Sequence, residues 1–252
     1  MTEKPPNQLH ALSGLKAQLD GLVEAARPIV DQIRAQFEQL APLLLTVAEA
    51  FKTLPDRTKE ALLKLGSHGW YLDPELPADA IFRLAEIFDT KTKEEADRVL
   101  CGWVDSHVSN IEAQLADAYP SRQAILREAF SAHQQKMYAV STPVFLAQAD
   151  GICQEMHGVG LYKKHRDGDL VLKRKIQPLE IGHFEEAMLA PLITVLPVIA
   201  KANERTLYGN QLNRHAILHG ESLDYGTFEN SCRAISLLSY SGWALRALIP
   251  GK

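Results

Sequence analysis

The chain has 252 residues, 46% hydrophobic and 23% charged, which suits one large globular domain or two modest ones around a sizeable core. A net charge of −4 excludes a molecule that holds nucleic acid by its overall field, so any such contact needs a local basic patch. Three widely separated cysteines, Cys101, Cys153 and Cys232, exclude a disulfide framework or a zinc ribbon and read as small buried hydrophobes in a reducing compartment. The opening MTEKPPNQLH lacks the apolar core of a signal peptide. The most apolar stretch, residues 188–200, is too short to span a bilayer and carries Pro191 and Pro197. The expected location is therefore the cytoplasm, with no membrane contact.

Strand signals are nearly absent and helical periodicity runs throughout, which predicts an all-α fold. Leu15, Leu19, Leu22, Ala26, Ile29, Ile33, Phe37, Leu40, Leu44, Val47 and Phe51 recur at steps of three and four, forming one apolar stripe. Residues 1–65 thus read as a long amphipathic helical arm, bent or split near Pro28 and Pro42. Such a stripe serves either a coiled-coil or oligomerisation arm, or packing against the rest of the chain. Gly66 and the stretch 69–77 mark a loop and a boundary. Residues 66–118 read as connecting helices. Pro77 stands where a helix can begin, with Ile81, Leu84, Ile87 and Phe88 on its inner face. Thr92 and Glu95 have the spacing of a capping box, opening a helix that runs to about Ala118.

Residues 119–252 read as a helical bundle. A helix begins at Pro120-Ser121 and carries Ile125, Leu126, Phe130 and Met137. Thr142-Pro143 is expected to start the next, with Thr142 as N-cap, and that helix ends near Gly158. A polar loop then gathers Lys163, Lys164, Arg166, Lys173, Arg174 and Lys175. It is either a solvated surface or an RNA contact, in which these cations meet phosphates and Tyr162 stacks on a base. Residues 169–176 are the one candidate for a short ribbon. Residues 179–202 read as helical, and a last helix follows Thr227, its expected N-cap, to about Leu248.

The densest chemical segment is Asn213-Arg214-His215-Ala216-Ile217-Leu218-His219-Gly220-Glu221. On a helix His215 and His219 share a face, while Arg214 and His219 stand about 140° apart. Gly220 is a natural stop. An arginine clamps phosphate through its fork of donors. A histidine takes a proton from a ribose 2′-hydroxyl or gives one to a leaving oxygen. Together they can cut RNA without a metal, the 2′-oxygen attacking its own phosphate to leave a 2′,3′-cyclic end. Asn210, Asn213 and Glu221 are candidates for orienting the histidines.

The string Arg214-x4-His219 resembles the R-x4–6-H motif of HEPN domains, with His215 where that family carries Asn, Asp or His. Residues 138–151 and 213–238 also resemble an uncharacterised bacterial branch of HEPN type, and the likeness covers roughly residues 119–248 but not the arm. It implies a bundle of four or five helices and a metal-independent endoribonuclease of a toxin–antitoxin or phage-defence system, with no cofactor. It also implies a homodimer whose two motifs meet in one active site, and an antitoxin or defence partner. Family members paired with a nucleotidyltransferase carry an AMPylated tyrosine two residues after the histidine. Here that place is Glu221, and Tyr225 is out of register.

Other readings stand beside this one. Arg214, His215 and His219 also suit plain polar positions at the ends of a helix. His215 and His219 form half of a zinc-type pair, with His183 and Glu186 as loose further ligands. The bundle can also be a non-catalytic module binding RNA or a nucleotide, or an oligomerisation and regulatory protein built on the arm.

Overall fold

The computed structural model describes residues 21, 24, 27, 28, 32, 49, 50, 52–71, 76, 77, 79–202, 204, 205, 212–247 and 249. The chain divides into two compact units, residues 1–53 and 54–252. The described residues of the first unit are all helical and solvent-facing. The apolar stripe expected of the arm falls outside the described residues.

The second unit is all-α. Its elements are α1 (residues 54–67), α2 (Ala80–Thr90), α3 (Lys93–Ala118), α4 (Gln123–Gln134), α5 (Tyr138–His157), α6 (Val171–Ile176), α7 (His183–Ile193), α8 (Arg214–Leu218) and α9 (Phe228–Ala247). Among the described residues there is no strand, only one isolated antiparallel bridge between Lys164 and Leu170. No described helix is long and apolar enough to cross a membrane.

The bundle is organised around α9, which lies against α5 and α3, with α4 filling the angle between α3 and α5. Both central helices are buried over most of their circumference, through Phe145, Leu146, Ile152, Ile235, Leu238 and Tyr240 among others. Close approach is possible because α9 carries small residues at its crossings. A Cβ on Gly242 would lie 3.1 Å from Leu115 and 3.3 Å from Tyr119, and the Tyr119 hydroxyl donates to the Gly242 carbonyl at 2.6 Å. On α3 the buried set Ala96, Asp97, Leu100, Cys101, Val104, Val108, Ile111 and Leu115 repeats at helical spacing.

Several local expectations hold. Thr92 and Glu95 form the reciprocal capping box at the start of α3. Thr227 caps α9, accepting the Asn230 amide at 3.2 Å. All three cysteines are free and buried.

Three others are corrected. Thr142 is not an N-cap: α5 begins at Tyr138 and Pro143 lies inside it. Proline's missing N–H removes one helix bond, a loss tolerable close to a helix start. Residues 169–176 do not form a ribbon. Beyond the Lys164–Leu170 bridge the chain turns into α6, which buries Leu172 and Ile176 four residues apart and leaves the lysines and arginine between them outward. The helix expected over 179–202 is shorter. It covers His183–Ile193 and gives way to extended backbone at Thr194; Leu196 is extended too, the conformation favoured before a proline, here Pro197.

Two buried polar clusters tie helices together. Asp97 of α3 accepts from the Trp70 indole at 2.8 Å and from Lys93 at 3.0 Å, and pairs with Arg233 of α9 at 2.5 Å. The Arg233 guanidinium also lies over the Trp70 ring, 5.3 Å from its centre. Burial pushes the Asp97 carboxyl up, but Arg233, Trp70 and Lys93 outweigh it and hold the group below the usual range. In the second cluster His133 Nδ1 meets Ser231 Oγ at 2.8 Å, and that oxygen meets Ser141 Oγ at 3.0 Å, linking α4, α9 and α5.

Candidate functional site

The short helix α8 carries the site, and both of its ends are fixed by side chains and turns. At its start Asn213 is the N-cap. Its Oδ1 accepts the Ala216 amide at 2.9 Å, while its Nδ2 donates to the carbonyls of Pro197 at 2.6 Å and Ala200 at 2.9 Å. Asn213 is therefore buried and pins the helix to the segment after α7, acting on the histidines through the backbone. At the other end Gly220 takes the left-handed conformation, φ +72°. The Glu221 amide reaches the Ala216 carbonyl at 2.8 Å and the Gly220 amide reaches that of Ile217 at 3.1 Å. This pair of bonds is a Schellman motif, and it folds Glu221 back beside α8.

The two histidines meet as their spacing predicts. The rings of His215 and His219 are 4.3 Å apart, centre to centre, inclined at 55°, and both residues are exposed. His215 Nε2 lies 3.7 Å from Glu221 Oε1. Partial burial, the neighbouring His219, and the charges of Arg205 and Arg214 hold His215 below the ordinary imidazole value, against the pull of Glu221. Glu221 in turn accepts from Arg205 Nη1 at 2.6 Å, a bond that keeps its carboxyl below the usual range.

Arg214 is half-buried. Its guanidinium lies over the ring of Tyr162, 5.2 Å from the centre, and its Nε has no hydrogen-bond partner among the described residues. Tyr162 is itself anchored, its hydroxyl donating to the Leu146 carbonyl of α5 at 3.2 Å and its amide to Asp150 at 3.4 Å. Burial pushes the Tyr162 hydroxyl well above the ordinary phenol range. Its ring face is thus engaged by Arg214 and its polar tip by the bundle.

Four of the six cations of the loop already have acceptors. Lys164, whose side chain is 8% exposed, pairs with Glu204 at 3.0 Å. Lys173 pairs with Asp169 at 3.3 Å, Arg174 with Asp167 and with Asp169 at 3.7 Å, and Lys175 donates to the His157 carbonyl. Of the six candidates Lys163 and Arg166 remain, exposed and in no salt bridge among the described residues. Tyr225 donates through its hydroxyl to the Ala139 carbonyl at 2.9 Å, which seats the loop after α8 on the start of α5. Asn210 lies outside the described residues.

Arg205 had no signal in the sequence, and Tyr162, expected to stack on a base, instead has its ring engaged by Arg214. Arg205 is an isolated arginine nine positions before Arg214, and Tyr162 reaches Arg214 across fifty-two positions. Among the described residues no group of three or more His, Cys, Asp or Glu side chains is arranged to hold a metal ion, and His183 and Glu186 stand on α7 apart from the α8 pair. Chemically the patch offers two imidazoles, a guanidinium on a rigid aromatic support, and a carboxylate shared between an arginine and a histidine. No family model matches the chain, and no curated protein or solved structure matches it.

Proposed function

We propose that the protein is a metal-independent endoribonuclease of HEPN type. The observation that carries the reading is the exposed His215–His219 pair, 4.3 Å apart beside Arg214 on one short helix. In the proposed reaction His215, held toward its neutral form, takes the proton of a ribose 2′-hydroxyl. The 2′-oxygen attacks the adjacent phosphorus, the bond from phosphorus to the 5′-oxygen breaks, and His219 gives a proton to that leaving oxygen. Arg214 faces the charge on the non-bridging oxygens. The products are a 2′,3′-cyclic phosphate and a free 5′-hydroxyl.

The likeness to HEPN domains extends the proposal to a cytoplasmic homodimer with the site at its interface, in a phage-defence or toxin–antitoxin setting with a restraining partner. Leu218 of α8 and Leu223 in the loop after it, 40% and 91% exposed, supply apolar surface suited to such a contact.

The test is cleavage of RNA in EDTA by the parent, Arg214→Ala and His219→Ala. The reading expects cyclic phosphate ends from the parent and none from either variant. Undiminished cleavage by the variants would move the chemistry elsewhere. A second reading, a non-catalytic module for RNA or a nucleotide, is favoured by the partial burial of Arg214 against Tyr162. Binding by a folded parent without cleavage selects it.

A further inference from the structure

Arg205 lies outside the R-x4-H string, yet its guanidinium ends at the same patch. Nη1 donates to Glu221 Oε2 at 2.6 Å, and the other oxygen of that carboxylate stands 3.7 Å from His215 Nε2. Glu221 thus bridges a guanidinium and an imidazole, the two partners that a phosphate takes in this chemistry. The Arg205 side chain is 22% exposed, and its Nε and Nη2 are shut from solvent with no acceptor among the described residues. Arg214 Nε is in the same condition. These donors face the protein, so the Nη1 edge held by Glu221 is the part of Arg205 offered to an incoming anion. The charges of Arg205 and Arg214 both reach His215.

We propose that Arg205 and His215 form an anion subsite for a phosphate of the nucleic-acid backbone, and that the Glu221 carboxylate occupies it as a built-in competitor in the free protein. Glu221 is exposed and its ion pair is of the surface kind, weak enough to be exchanged. It follows the left-handed Gly220, so its side chain leaves without disturbing α8. A backbone phosphate then takes the place of the Glu221 carboxylate on Arg205 Nη1. The identity of the ligand as RNA rests on the ribonuclease reading. The competition between Glu221 and an anion does not.

The experiment uses the full chain and a fluorescent RNA oligonucleotide with 2′-O-methyl groups throughout, which lacks the attacking hydroxyl and reports binding alone. Kd is measured at fixed ionic strength for the parent, Glu221→Gln, Arg205→Ala, Arg205→Lys and the double variant Arg205→Ala/Glu221→Gln. Glu221→Gln is expected to tighten binding by about 2- to 5-fold, the range of an exchanged surface ion pair. Arg205→Ala is expected to weaken it on the order of tenfold, Arg205→Lys less. The tightening by Glu221→Gln should shrink in the Arg205→Ala background, because the competitor's closer contact is to that arginine. Circular dichroism confirms folding, and Arg205→Lys keeps the test open should the alanine variant unfold.

Unchanged or weaker binding by Glu221→Gln, parent-like binding by Arg205→Ala and Arg205→Lys, or no binding by the parent would each overturn the subsite. Cleavage of unmodified RNA is followed separately. The expected binding pattern without cleavage sinks the ribonuclease reading and leaves the subsite. Cleavage without the binding pattern sinks only the subsite.

Discussion

The Tyr225 hydroxyl donates to the Ala139 carbonyl at 2.9 Å, and Ala139 is the residue whose helical partner, four positions on, is Pro143. A proline cannot supply the N–H that this carbonyl would otherwise accept. The loop after α8 therefore repairs a defect in the first turns of α5. Gly226 makes the approach possible, since a Cβ there would stand 2.9 Å from that of Ala139. The repair fixes one end of the loop that bears Glu221.

Tyr225→Phe is expected to lower stability by about 1 kcal/mol, the net value of one such bond. Pro143→Ala restores the backbone donor, so the penalty of Tyr225→Phe should shrink in that background. A double-mutant cycle by urea denaturation checks this. Equal penalties in both backgrounds would break the link between the two residues.

Gly220→Ala places a Cβ on a residue at φ +72°. A cost of about 1–2 kcal/mol follows from the left-handed backbone. Gly220→Asn should cost less, because asparagine visits that region more readily. Unfolding midpoints rank the three proteins.

Asp97→Asn removes the charge that faces Arg233 inside the bundle. Stability should fall by about 3–5 kcal/mol, since the arginine is left buried and uncompensated. Replacing Arg233 by methionine in the Asp97→Asn background should recover part of that loss. Guanidinium melts of the single and double variants measure it.

His133, His157 and His68 all lie below the ordinary imidazole value, each chiefly through burial. A base with a depressed folded pKa binds fewer protons in the native state than in the unfolded one. Its contribution to stability is complete above the unfolded value of about 6.5 and is lost as pH falls through the folded value. Unfolding free energy should therefore decline from pH 7 toward pH 5. His133 faces Ser231, Phe145, Phe228 and Tyr138 and feels the charge of Asp105. His133→Gln should flatten part of the decline, with His157 and His68 keeping the remainder. A variant as steep as the parent would remove His133 from the account.

What was legible in the sequence is what depends on near neighbours. The capping box of Thr92 and Glu95, the stop at Gly220, the Thr227 cap and the His215–His219 face are all settled within five residues. Pro143 was misjudged because the group that tolerates it, Tyr225, lies 82 positions away. The ribbon at 169–176 was misjudged because its apolar alternation was local, whereas the burial of Leu172 and Ile176 depends on the bundle beneath them. Arg205 and Tyr162 joined the candidate site through contacts that no spacing announces.

The pairing of the cations in the 163–175 loop bears on polyelectrolyte behaviour. Lys164, Lys173, Arg174 and Lys175 already have acceptors, so few cations remain to displace counterions from a bound strand. With Lys163, Arg166, Arg205 and Arg214 all engaged, the logarithm of an RNA association constant should fall against the logarithm of salt with a slope no steeper than about −3, at roughly −0.7 per phosphate. Binding would then persist at ionic strengths that strip strongly basic proteins from RNA, and it would owe its strength to the few groups around α8.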